Sequence, residues 1–481
     1  MSQIRHGVYV NEEATQARKP RETTTGIQFI VGTAPVHLLP DPSSAVNEPI
    51  LVRSLTEAKQ KLGYSEDFDK YTLCQSMYMD FSVLSVAPAI FVNVLDPANA
   101  SHKTTVSETT LTVNNGVAKL SQQGVLLASL TVKDGEDNTL TVNEDYVASH
   151  DGDGNVLITV LAAGITSIKV SGSALNPLAV TASDVIGGID VSTGAESGLQ
   201  TIRKVYPKYG INAATIIAPG YSHNPSVAAV MASLCEEING VFRAETVIDI
   251  DSSTYTKYTD AETMKSALGV KSPHAYLVWP KVKIGTKVLF ASANAAAVAQ
   301  YTDYANGGLP NISPSNESAY IDAAVLANGT EVLLDSEQGN VLNGSGIATY
   351  VRSGGTYRLW GNYSAAYPDN NDPKDKWWCI RRFFSWHANN FIRTYFDEVD
   401  DPTNRRLIEG IVDAENIVMN GYVANGACAG ARIEISDQNT SETLMDGKLY
   451  FVQKITPFPP AQEIVNTLSF DPDALTAALQ I

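Results

Sequence analysis

Ser345, in the run Asn343-Gly344-Ser345-Gly346, has surroundings resembling those of a nucleophilic hydroxyl on a strand-to-helix elbow. That elbow needs a glycine two residues before the serine, where Asn343 stands, so an ordinary turn is expected. Asp151, Asp153 and Asn155 open with calcium-loop spacing, but position six is Val156 instead of the turn-making Gly and position twelve is Ala162 instead of the bidentate Glu. A hairpin turn is expected there. Phosphate binding needs backbone N–H groups brought close by repeated glycines; Pro219-Gly220-Tyr221 lacks them, and neither a P-loop nor a dinucleotide fingerprint occurs. The histidines, among them His6, His37, His223 and His387, show no H-x-x-x-H spacing, and Cys74, Cys235, Cys379 and Cys428 form no C-x-x-C pair. The acidic loop Asp369 to Asp375 has the charge to hold a cation or a basic partner, although such loops are usually solvated. These patterns require no catalytic residue, cofactor or metal. An α/β enzyme would have its pocket near Pro219-Gly220 and Asp249, at the carboxyl ends of strands, and would need a convergent set of acids or bases that the sequence does not display.

The elements that would position such residues fall into compositional zones. Gly26 to Gly32 reads as a strand, and Ser54-Leu55-Thr56-Glu57 is a capping box opening a short helix that ends at Gly63. A helix near Tyr71 to Phe81 and a buried strand Ala89 to Leu95 complete that block. From Ser101 to Asp190 the chain has no Phe, Trp, Cys or Arg and a single Tyr, Tyr146. Alternating runs at Leu126 to Val132, Val156 to Leu161 and Ile168 to Val170, with turns at Asn114-Asn115-Gly116, Asp134-Gly135 and Asp151-Gly152-Asp153-Gly154, predict an inserted antiparallel β domain.

Strands and helices then alternate. Strands are predicted at Ala213 to Ala218, Thr246 to Ile250 and Ala275 to Trp279. One helix is capped by Asn224 with Pro225 first and buries Val227, Val230, Met231, Leu234 and Ile238; another spans Asp260 to Leu268. The last third is aromatic. A helix Trp378 to Phe396 carries Trp378, Phe383, Trp386 and Phe391 with Arg381, Arg382 and Arg393, and a helix from Thr403 shows Leu407, Ile411, Ala414 and Val418 as its core stripe. A strand Leu449 to Thr456, a Pro457-Phe458-Pro459-Pro460 break and an extended segment Glu463 to Phe470 follow. The predicted fold class is α/β (α+β) and multidomain: a mixed, partly parallel sheet with helices, plus the inserted antiparallel β domain.

A chain of 481 residues, 44% of them hydrophobic, is expected to build more than one core. Only 18% are charged, which suits a surface largely covered by partners. A net charge of −18 without a basic run argues against direct nucleic-acid binding. The first twenty residues carry no apolar h-region and no run of about 18 apolar residues occurs, so neither a signal peptide nor membrane insertion is expected, and the scattered cysteines suit a reducing cytosol. A surface adhesin, suggested by the Ser/Thr/Val-rich insertion, would need an export signal.

Several runs, in order and over nearly the whole chain, resemble the tail sheath protein family of contractile phages. They are His6-Gly7-Val8-Tyr9-Val10-Asn11-Glu12, Gly26-Ile27-Gln28-Phe29-Ile30-Val31-Gly32-Thr33-Ala34-Pro35, Ile216-Ile217-Ala218-Pro219-Gly220-Tyr221-Ser222, Val278-Trp279-Pro280 and Pro310 to Ser315. Leu342 to Ile347, Arg358 to Asn362, Ile380-Arg381-Arg382 and Pro459-Pro460-Ala461-Gln462-Glu463-Ile464 continue the match; Ser101 to Asp190 lies outside it. Leu359-Trp360-Gly361-Asn362 stands where relatives carry a Trp-Gly-Ala-Arg type of run.

The resemblance implies a structural subunit and no enzyme: hexameric rings stacked helically around a tail tube, contracting to drive the tube through an envelope, with DNA ejection in a phage. Its alternative settings are a phage-derived bacteriocin and an extracellular contractile injection system. Implied partners are further copies of itself, the tail tube protein, and baseplate and tail terminator proteins; the implied location is the virion tail, assembled in the host cytoplasm. It also implies extended arms that lend strands to neighbouring copies, through Gly7, Val8, Tyr9, Val10 and Asn11 at one end and Glu463, Ile464, Val465, Leu468 and Phe470 at the other. The expected division is a linking arm 1–25, a core in two parts 26–100 and 196–345, the insertion 101–195, a C-terminal domain 346–462 and a second arm 463–481.

Overall fold

Short apolar runs bounded by turns become strands buried along their whole length, as a sheet covered on both faces requires. The computed structural model describes residues 21–22 and 24–479. Its central sheet has eight strands: β1 (Gln28–Gly32), β2 (Ile50–Val52), β3 (Ala89–Asn93), β4 (Thr215–Ile217), β5 (Glu245–Asp249), β6 (Ala275–Val278), β7 (Ile347–Ser353) and β8 (Thr356–Trp360), in the order β8-β7-β6-β5-β4-β1-β3-β2. The six inner strands run parallel, and β2 and β8 close the edges antiparallel.

Helix α1 (Ala291–Ala305) packs against the sheet and is buried along nearly its whole length. Its alanines allow that close approach, and its polar side chains have internal partners: Asn294 Nδ2 donates to the Ala319 carbonyl at 2.7 Å and Gln300 Nε2 to the Pro88 carbonyl at 2.9 Å. The helix Pro225–Glu236 starts as expected, with Asn224 Oδ1 accepting from the Ser226 N–H at 2.9 Å.

Two local expectations need correction. At Leu55–Leu62 the Ser54 hydroxyl accepts from the Glu57 N–H, but the Glu57 carboxylate reaches the Arg53 N–H at 2.7 Å, one residue before the one a reciprocal box would satisfy. The predicted helix over Tyr71 to Phe81 is an α-helix only at Leu73–Met77 and widens to a π-helix at Tyr78–Leu84. That wider turn carries Asp80, fully buried, accepting from Gln28 Nε2 at 2.8 Å; burial pushes its carboxyl up to about 8.

Residues 103–175 form two three-stranded antiparallel sheets around a separate core of Val106, Val132, Tyr146, Val156, Ile158, Ile168 and Val170. Asn115 and Gly116 both take positive φ, 50° and 80°, in the tight turn their types predict. The predicted strand from Leu126 begins only at Thr131, because Leu127–Ser129 is a 3-10 turn whose Ser129 hydroxyl accepts from the Ser173 N–H at 2.9 Å.

The C-terminal part has helices α2 (Trp378–Tyr395) and α3 (Arg405–Ala424) under a ribbon of β9 (Cys428–Ile435) and β10 (Phe451–Pro457). The buried face of α3 is Ile411, Glu415, Met419 and Tyr422, whereas Val418 of the predicted stripe is 46% exposed and Ala414 also faces solvent. Polar contacts set that rotation. Asn416 bonds both backbone groups of Ile433, and Glu415 meets Tyr395 at 3.0 Å, partners that an apolar period does not reveal.

Candidate assembly surface

The serine and the acids that could do chemistry are occupied structurally, and the cysteines are buried. Ser345 caps the helix Ser336–Gly344, with its N–H on the Leu342 carbonyl at 3.0 Å. Asp151 accepts from the Asp153 and Asn155 N–H groups at 3.0 and 2.8 Å and pairs with Lys119 at 2.7 Å, which holds its carboxyl well below the usual range. In the acidic loop, Asp369 pairs with Lys271 at 2.8 Å, Asp372 caps Pro373–Lys376, and Asp375 faces Arg381 at 3.3 Å. Asp249 is buried, which raises its pKa, and its oxygens accept from the Ser222 hydroxyl at 2.8 Å, the Ser292 N–H at 2.8 Å and the Ser292 hydroxyl. It ties β5 to the first turn of α1. Burial pushes Cys74 up to about 12 and Cys379 and Cys428 to about 11, far from a reactive thiolate. Among the described residues no cluster suits a metal ion and no helix is long and apolar enough to cross a membrane.

Gly7, Val8, Tyr9, Val10 and Asn11 lie outside the described residues. The chain enters the body at Arg21–Glu22, a two-residue strand parallel to Val86–Ala87. Thr25 Oγ1 then donates to the Gly308 carbonyl at 2.7 Å, and Gly26 turns with φ +72° where a Cβ would stand 2.8 Å from Asp303. A narrow cleft at this root is lined by Thr24, Gly26, Arg243, Arg382, Ser385 and Asn389. Arg382 and Asp303, 4% and 0% exposed, form a buried ion pair beneath it, and burial pushes Asp303 up to about 6 against the pull of the guanidinium. Asn389 bonds Arg243 on both its N–H, at 2.9 Å, and its carbonyl, at 2.7 Å. Helix α2 is thereby fixed to the root of the N-terminal segment.

The other end leaves the body completely. After β10 and the proline break, Gln462 Nε2 donates to the Tyr363 hydroxyl at 2.9 Å. Beyond it Glu463 is exposed, and Ile464, Val465, Leu468 and Phe470 are 87, 76, 88 and 80% exposed, in a stretch without regular structure. Ile464, Leu468 and Phe470 share one face if the segment is extended, since side chains alternate along a strand. A terminal helix α4 (Pro472–Leu479) follows with no buried residue. Sequence reading missed α4, although Asp471 before Pro472 is an ordinary helix start.

Among the described residues the ribbon β9-β10 pairs as strands only with itself; Asn416 of α3 covers Ile433 on the outer edge of β9, which leaves the outer edge of β10 as the open one. One face is anchored by Phe383, Met419, Tyr422, Cys428 and Ile433. His387 of α2 bonds Gln453 of β10 at 2.7 Å and faces Glu415 at 3.6 Å; burial lowers its pKa, with Gln453 and Glu415 opposing. The predicted strand Leu449 to Thr456 belongs to this ribbon, and its partner β9 went unpredicted, because Ala429, Gly430 and Ala431 interrupt any apolar alternation.

No protein-family model matches the chain. It is 26% identical over 482 residues to the tail sheath protein of Burkholderia phage BcepMu, spanning 95% of each chain. Against the tail sheath protein of Escherichia phage P2 it is 25% identical over 365 residues, 73% of this chain and 82% of the relative. Among solved structures, a sheath complex of an extracellular contractile injection system in the contracted state aligns with TM-score 0.57 over 98% of this chain and 99% of the other, at 13% identity. The helical sheath of the anti-feeding prophage, also contracted, aligns with TM-score 0.56 over 97% and 99%, at 14% identity. At such identities the structural likeness is one of fold, and it accords with the sequence relationship. The chain belongs to the tail sheath protein family, as a structural tail sheath subunit.

Proposed function

We propose that the chain assembles as hexameric rings stacked helically around a tail tube, each copy linked to neighbours by strands lent from its ends. The observation that carries this reading is the pairing of needs within one chain: an exposed, strand-patterned segment from Glu463 to Phe470 without a strand partner among the described residues, and a ribbon whose β10 edge is open among them. Strand addition satisfies both through backbone groups, which tolerate rotation of a partner better than interlocked side chains do. About five such bonds at about 1 kcal/mol each would contribute roughly 5 kcal/mol per link. Gly7 to Asn11 would fill the same role at the other end.

In this reading residues 26–100 and 196–345 form the body of the ring, 101–195 is an added domain, and 346–462 holds the receiving ribbon. Partners are other copies, the tail tube, the baseplate and a tail terminator. Contraction is a one-way shift to the better-packed lattice, driven without ATP by a few kcal/mol from each copy. In a phage this serves DNA ejection from a virion tail assembled in the host cytoplasm; the same part suits a bacteriocin or an extracellular injection system. Overexpressed chain is expected to form tubes or ring stacks in negative stain, and to lose them without unfolding when residues 1–25 are deleted. Persistent monomers at high concentration would overturn the assembly, and a dispensable N-terminal segment would overturn strand lending at that end.

A further inference from the structure

Helix α4 has eight residues and buries none of them, with Leu475 and Leu479 52 and 59% exposed on one face. A helix that short is not stable alone in water, because its nucleation cost is not recovered over two turns. It needs a surface, and it follows Phe470 after a single residue.

A groove of about 500 Å³ lies between the end of α2 and the first half of α3, lined on its apolar side by Tyr395, Leu407, Gly410, Ile411 and Ala414. Glu398, Asp401 and Arg406 stand on its rim, and Arg406 has no carboxylate partner among the described residues. Its position relative to the ribbon follows from two contacts. Asn416 sits beside Ile433, and Ala427, just past the end of α3, leads into Cys428, so α3 runs antiparallel to β9. At about 1.5 Å per helical residue and about 3.3 Å per strand residue, Leu407 to Ile411 lie at the end of the ribbon marked by Ile435 and Phe451. A strand added antiparallel to β10 runs toward that same end.

We propose that α4 of one copy docks in this groove of a second copy, placing Leu475 and Leu479 against Leu407 and Ile411 as a clasp at the end of the lent strand. The clasp rests on the strand-lending reading, and it fixes the orientation of the lent strand: antiparallel to β10. Asp473, exposed on the first turn of α4, is the carboxylate available to Arg406.

Cysteine pairing between full-length copies tests it. Copies carrying Leu475→Cys are mixed with copies carrying Gly410→Cys, where an added side chain meets nothing within 4 Å, then assembled and mildly oxidised. The four native cysteines are buried, so background is low. A cross-linked dimer is expected from the mixture and from neither population alone; Leu479→Cys with Leu407→Cys is the second pair. Leu475→Ser with Leu479→Ser is expected to raise the concentration needed for tubes about tenfold. Tubes that form without either dimer, or at an unchanged concentration with both serines, overturn the clasp and leave strand lending standing. Failure of the unsubstituted chain to assemble would instead remove the reading beneath it.

Discussion

Replacing Leu468 and Phe470 together by Ser separates assembly from folding. Both side chains are exposed in the single chain, 88 and 80%, so the body is expected to melt within the change of about 0.5 kcal/mol usual for surface substitutions. In a lent strand they would occupy the buried face of the augmented ribbon, where each contributes roughly 2 kcal/mol. Losing about 4 kcal/mol of side-chain burial, while the backbone bonds of the link remain, raises the free concentration coexisting with tubes about a thousandfold, at about 1.4 kcal/mol per factor of ten. The assay is the protein left in the supernatant after tubes are pelleted, beside thermal unfolding of the same sample. The face opposite supplies a control: Thr467→Ala and Ser469→Ala are expected to change the supernatant several-fold at most. An unchanged supernatant for the double serine variant, with tubes of normal appearance, would refute the assignment of this segment as a donor strand.

Three further outcomes follow from buried groups. Arg382→Gln leaves Asp303 as an uncompensated buried carboxyl and is expected to destabilise the chain by about 3–5 kcal/mol in urea, with Asp303→Asn in the same chain restoring part of the loss. Asp80 has a folded pKa raised to about 8, so its stabilising contribution is fully present below the ordinary carboxyl value and is lost as pH rises through 8; Asp80→Asn is expected to raise the melting temperature at pH 8 more than at pH 4. His37 is buried against His150, ring centroids 5.3 Å apart, and burial first, then the His150 charge, lower it to about 3. Its neutral folded form is favoured at neutral pH, and that advantage is lost as pH falls from 6.5 toward 3; His37→Leu is expected to flatten the acid limb by up to about 1.4 kcal/mol per pH unit, read from denaturation midpoints at pH 4 to 7.

The fold was legible where local pattern and tertiary burial agree. Continuous apolar runs bounded by turns marked the strands Gln28–Gly32, Ala89–Asn93, Glu245–Asp249 and Ala275–Val278, and Asn-Pro marked the helix Pro225–Glu236. What escaped was set by contacts distant in sequence. Helix Ala291–Ala305 shows no amphipathic period because its polar residues are also buried, each with its own partner. The rotation of α3 was misread by one position because Glu415 and Asn416, not an apolar stripe, face the ribbon and α2. Segment 463–470 was legible as an extended apolar stretch outside the core, and it is exposed without regular structure, whereas the packing of β9 and β10 on α2 and α3 has no signature in any single segment.

The placement of α2 explains how one chain can be rigid in its body and yielding at its links. On the strand-lending reading, pull from one neighbour enters at the root near Thr24 to Gly26 and pull from another acts on the ribbon. Helix α2 meets both. Arg382, Ser385 and Asn389 line the root, while Phe383 and His387, on the same helix, hold Tyr422 and Gln453 beneath the ribbon. Sliding α2 would separate the Arg382–Asp303 pair and unstack Trp378 from Tyr276, whose rings lie 4.3 Å apart. Exposing either partner of such a buried pair costs about 3–5 kcal/mol, comparable with a whole link. Swinging a lent strand about its own root breaks none of these contacts, since Glu463 to Leu479 hold no buried side chain. Rearrangement between lattices is therefore cheapest at the arms, and the body from the central sheet through α2 to the ribbon moves as one piece.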